Sequence, residues 1–92
     1  MIQSFRHKGL KRLYEDDDPR GVIAEHLPKL RNIFARLDAA ISADDMDLPG
    51  FNLHALKGQL KDFFAVTVRA NWRVIFRFAE GDAFEVDYLD YH

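Results

Sequence analysis

Cysteine is absent from this 92-residue chain, which excludes a disulfide scaffold, cysteine-based zinc sites and thiol catalysis. Proline and tryptophan are scarce, at three and one. No apolar run approaches the ~20 residues that span a bilayer. The start, Met1-Ile2-Gln3-Ser4-Phe5-Arg6-His7-Lys8, lacks the apolar core of a secretion signal. The expectation is a soluble cytoplasmic protein with no membrane partner. Basic charge is not in excess either: the net charge is −2, with no basic half. Any contact with nucleic acid therefore depends on a local cluster of cations.

Aromatic residues are plentiful, with eight Phe and three Tyr. They matter in a short chain, which buries only about 60–65% of its unfolded surface. The composition and the absence of a linker or repeat predict one domain over residues 1–92. Met1 to Phe5 has the makings of a short strand. Leu10, Leu13 and Tyr14 then form one apolar helical face between His7 and Glu15, and Asp16-Asp17-Asp18-Pro19-Arg20-Gly21 ends that helix. Ile23, Leu27, Leu30, Phe34, Leu37 and Ile41 recur at helical spacing, and Pro28 sets the start of this second helix near Glu25–Leu27. His7 and His26 read as helix-surface residues.

From Phe63 the period changes to two. Phe64/Val66/Val68, Trp72/Val74/Phe76/Phe78 and Phe84/Val86/Tyr88 mark three strands joined by hairpins. Placing the three apolar sets on one side sets Val68 opposite Trp72 and Phe78 opposite Phe84, with Arg69-Ala70-Asn71 as a loop. The fold class expected is α+β: a small antiparallel sheet packed against two N-terminal helices. In this register Arg73 pairs with Leu89, so Asp90-Tyr91-His92 emerges beside Arg69 and Arg73. Arg77 has Glu85 as a cross-strand partner and reads as structural; Arg73 has no acid opposite and is available for a phosphate. His92 is a general acid or base by residue type, and His54 and Lys57 form a further polar pair. No histidine pair has metal-ligand spacing, and no glycine pattern forms a phosphate loop, so neither metal nor cofactor is expected.

Ile2-x-Ser4-Phe5-x-His7-Lys8-Gly9-Leu10-Lys11, Met46-Asp47-Leu48-Pro49-Gly50-Phe51, Leu53-His54-x-Leu56-Lys57-Gly58, Val68-Arg69-Ala70-Asn71-Trp72-Arg73, Gly81-Asp82-Ala83 and Tyr88-x-Asp90-Tyr91-His92 follow one another in an order that resembles the HigB toxins of bacterial toxin–antitoxin systems. Each motif is weak; together they span nearly the whole chain. The resemblance implies the RelE/ParE superfamily fold, a small twisted sheet packed by two helices. It implies a metal-independent, ribosome-dependent mRNA endonuclease, in which the messenger's 2′-OH attacks the neighbouring phosphate. It also implies the positions that do this. Arg73 and Lys57 stabilise the phosphate and Arg69 holds the RNA backbone. His54 and His92 form the acid–base pair in either order, and Asp90 and Tyr91 orient His92 or stack on a base. The partners implied are a HigA-like helix-turn-helix antitoxin, the 70S ribosome with mRNA in its A site, and operator DNA only through the antitoxin complex. Two alternatives share the fold: a ParE-like protein that inhibits DNA gyrase without cutting RNA, and a decayed toxin that still binds antitoxin.

Overall fold

Two-residue alternation along the second half of the chain produces a four-stranded antiparallel sheet in the order β1-β2-β3-β4 in a computed structural model, which describes residues 1–91. The strands are β1 (His54–Ala55), β2 (Phe64–Arg69), β3 (Trp72–Ala79) and β4 (Asp82–Asp90). Helices α1 (Lys8–Asp16) and α2 (Leu27–Ala39) cover one face. Leu10, Leu13, Leu30, Ile33, Phe34 and Leu37 pack there against Val66, Val68, Val74, Phe76 and Val86. This is the α+β class expected from the periodicity. No helix among the described residues is long and apolar enough to cross a membrane.

The helix boundaries follow from local chemistry. His7 caps α1 by accepting the Leu10 N–H at Nδ1 (3.1 Å), and Asp17 closes it in the left-handed region at φ 53°. Pro28 sits in the first turn of α2, where its missing N–H costs nothing. Gly9 and Gly21 let α1 touch the turn after it: a Cβ on Gly9 would lie 2.3 Å from the Gly21 carbonyl oxygen. The first residues form parallel bridges to the outer edge of β4, Ile2 to Ala83 and Phe5 to Val86, and so cover an edge that would otherwise be open to pairing.

Several sequence expectations change here. Ile41 is not the last rung of the α2 stripe, because α2 ends at Ala39 and Ile41 is 75% exposed. His26 is buried rather than on the helix surface, and its Nδ1 meets the Tyr88 hydroxyl. The β2–β3 connection is a two-residue turn. Arg69 pairs with Trp72 through a bulge after Thr67, and Ala70, not Asn71, takes the left-handed conformation. Phe78 faces Ala83, not Phe84. An extra residue in β4, Glu85 at φ 54°, shifts the register there and turns Phe84 to the other face, where the Arg77 guanidinium lies 4.9 Å from its ring centroid. The bulge also places the Glu85 carboxylate between Arg77 (2.5 Å) and Arg6 (3.0 Å), which holds its pKa below the usual value. Beyond the bulge the expected register holds: Arg73 pairs with Leu89.

Candidate active site at the β2–β3 end of the sheet

The sheet face away from the helices has a small core of its own. Leu56, Phe63, Ala65 and Ile75 are buried together, with Leu60 and Leu89 packed against them. The segment between β1 and β2 thus folds over this face instead of projecting from it. Its route follows from composition: Phe63-Phe64-Ala65-Val66 and Val74-Ile75-Phe76 are continuous apolar runs, the mark of strands covered on both sides.

Beside this patch lies Arg73. Arg6, Arg20, Arg31 and Arg77 each pair with a carboxylate. Arg73 instead donates from Nη1 to two carbonyls, Ala70 at 2.6 Å and Trp72 at 3.2 Å, around the β2–β3 turn. It is half-buried between Thr67 and Leu89 in the adjoining strands. Its guanidinium is held near the turn without a counter-anion in those bonds, an arrangement suited to a phosphate.

His54 stands on the same face, because it pairs with Ala65, which in turn pairs with Ile75. The exposed ring has Nδ1 3.0 Å from the Asn52 carbonyl oxygen. A carbonyl only accepts, so Nδ1 carries the hydrogen and the neutral ring presents Nε2 as an acceptor. Standard strand spacings put the His54 and Arg73 Cα atoms roughly 12 Å apart across the face, a gap that a phosphate and a long arginine side chain can bridge.

Lys57 is exposed two residues past β1, at the start of the turn Gly58–Leu60 that lies over this face. Arg69 ends β2 opposite Trp72 and is exposed. Its charge reaches His26 on the helix side, so the two arginines flank the turn on different faces. Asp90 ends β4 opposite Trp72, and the Tyr91 N–H donates to the Asn71 carbonyl (2.8 Å), which leaves the Tyr91 ring 42% exposed at the same end. Arg69, Arg73, Asp90 and Tyr91 therefore meet around one turn, as the register implied. His92 lies outside the described residues.

Beneath this end sits a group that sequence reasoning missed. Trp72 lies 4.6 Å from Tyr88 between ring centroids, and His26 packs edge-on against both rings. Burial and the nearby Arg69 charge keep the His26 pKa below its ordinary value, with Glu25 opposing. The Tyr88 hydroxyl also receives the Ile23 N–H at 3.4 Å, so the platform ties β3 and β4 to the approach of α2.

A family model for HigB-like toxins, described as RelE-like toxins of type II toxin–antitoxin systems, matches residues 3–92. The chain belongs to the HigB-like toxin family. It is 40% identical to an endoribonuclease HigB of Proteus vulgaris, with all of both chains aligned. It is 33% identical to a toxin HigB-1 of Vibrio cholerae, over the whole of this chain and 98% of that one. The fold also resembles the solution structure of a conserved hypothetical protein from Helicobacter pylori, with a TM-score of 0.51 at 15% identity over 95% of this chain and 90% of the other. That likeness concerns architecture alone. Membership of a type II family implies that this toxin has an antitoxin partner.

Proposed function

We propose that this toxin, acting as one domain over residues 1–92, is an endoribonuclease that cuts mRNA in the ribosomal A site by metal-independent attack of the 2′-OH on the adjacent phosphate. Endoribonuclease activity is the name given to its 40%-identical relative. That likeness favours RNA cleavage over gyrase inhibition. The observation that carries the reading is the shared face of Arg73 and His54: a cation bonded to carbonyls stands across from an imidazole whose Nε2 is an acceptor.

The reaction needs a proton removed from the 2′-OH, a proton given to the departing 5′-oxygen, and positive charge on the phosphorane between. His54 Nε2 suits the first task and His92 the second, with the reverse order equally balanced in protons. Arg73 exchanges its bonds to the Ala70 and Trp72 carbonyls for phosphate oxygens, and Lys57 adds a second cation. Arg69 holds the RNA backbone. Tyr91 stacks on a base and Asp90 orients His92. The toxin works in the cytoplasm, where its acidic net charge makes ribosome docking depend on local basic residues. Its antitoxin is HigA-like, and operator DNA is reached through that protein's helix-turn-helix.

The test is to map mRNA 5′ ends after brief induction, and again in a purified translation system with and without ribosomes. Cuts inside translated codons that require the ribosome support the reading. Intact messenger alongside inhibited gyrase supercoiling would replace it with the protein-binding alternative.

A further inference from the structure

At the pole of the sheet opposite the β2–β3 turn, the start of β2 and the β3–β4 turn face the loop after α2. Between them runs a groove of about 360 Å³. Phe64, Phe78, Ala79 and Ile41 give it an apolar floor, and Asp44 and Glu80 give it an acidic rim; among the described residues no lysine or arginine lines it. Ile41 is among the most exposed large apolar residues described, at 75%, and Phe64 and Phe78 are only half-buried.

The loop that presents Ile41 is held in place. Asp45 accepts the Ile41 N–H at 2.9 Å, and Ser42 and Asp45 form a capping box at the turn Ala43–Met46. Met46, fully buried, pins the end of that turn in the core. A fixed isoleucine beside two phenyl rings loses little entropy when covered, which is the condition for a productive contact.

We infer that this groove docks the antitoxin, receiving an apolar side chain from a positively charged segment whose Lys or Arg residues meet Asp44 and Glu80. The inference rests on the toxin–antitoxin reading and adds the surface and the chemistry of its partner. Charge selects the occupant. A second copy seated by two-fold symmetry would bring Asp44 and Glu80 against their own counterparts, a like-charge contact that a basic segment turns into an attraction.

The experiment titrates purified toxin with its antitoxin, for the wild type, Ile41→Asp and Glu80→Lys. Both positions are exposed, and thermal melting checks that both variants fold. Each variant is expected to bind about tenfold or more weakly. Both should still cleave mRNA at the wild-type rate and escape neutralisation in cells. Binding within roughly threefold of wild type for both variants overturns the inference, as does tighter binding by Glu80→Lys. A toxin dimer in sedimentation that Ile41→Asp dissociates overturns it as well, by assigning the groove to self-association. Cleavage is read separately: a wild-type toxin that binds antitoxin but cuts no RNA contradicts the proposed function and leaves the docking surface standing.

Discussion

His26 Nδ1 lies 2.5 Å from the Tyr88 hydroxyl, a buried contact spanning 62 residues of sequence that fastens the approach to α2 onto β4. It sits directly under Trp72, one residue before Arg73. The end of the sheet bearing the polar cluster is thus built on a buried histidine whose protonation is disfavoured.

Acid should loosen that support. The His26 pKa is lowered from 6.5, chiefly by burial. His7 is lowered in the same way, with Asp87 opposing and Arg12 adding. A group with a depressed folded pKa takes up protons in the unfolded chain first, so stability falls as pH drops below 6.5 and levels off only once the folded rings protonate. Urea midpoints at pH 7.5, 6.5 and 5.5 should decline in that order. His26→Gln, which does not titrate, should show a shallower decline, with the remainder due to His7. A midpoint that rises on acidification contradicts the assignment.

Arg73→Ala should remove RNA cleavage while sparing the fold. The loss expected is about 10²–10³-fold, the usual effect of deleting one donor to a developing oxyanion. Arg73→Lys should recover only part, since an ammonium cannot reproduce the guanidinium fork. Cleavage in a translation extract gives the rate, and melting confirms folding. An Arg73→Ala protein as toxic as wild type contradicts the phosphate role.

Gly9→Ala tests the contact of α1 with the turn after it. Its methyl group would meet the Gly21 carbonyl at 2.3 Å, and backbone cannot give way as a side chain does. Such overpacking costs about 1–3 kcal/mol. In a domain of this size each kcal/mol lowers the melting temperature by roughly 4–8 °C. Gly81→Ala separates the two effects: nothing lies within 4 Å of the added Cβ, so any loss there comes from its φ of +83° and not from a contact. An unchanged melting temperature for Gly9→Ala would refute the close contact.

Tyr91→Ala should weaken cleavage without changing stability, because its tie to Asn71 is made by the backbone N–H. Loss of one stacked base is worth about 1–3 kcal/mol, so kcat/KM should fall by roughly 5- to 150-fold. Tyr91→Phe keeps the ring and should stay near wild type. Equal loss in both variants would point to the hydroxyl rather than stacking.

Periodicity and turn chemistry made the α+β class, both helices, the three consecutive strands and the Arg73–Leu89 pairing legible, because each depends on local spacing and on one buried face. That pairing is what brings Arg69, Arg73, Asp90 and Tyr91 to one turn. The residue order was legible too, through the motifs shared with HigB toxins. Three features depended on contacts between distant segments. The bulge at Glu85 sets its carboxylate between Arg6 and Arg77 from distant segments, and neither two-residue alternation nor β propensity signals an inserted residue. His26 looked like a surface residue until Tyr88 and Trp72 enclosed it. Lys57 follows a strand that runs away from Arg73, and Leu56 and Phe63, buried on the outer face with Leu60 packed against them, hold its loop against the sheet. Local pattern fixes which face a side chain takes within one element; burial shared between elements fixes which faces meet.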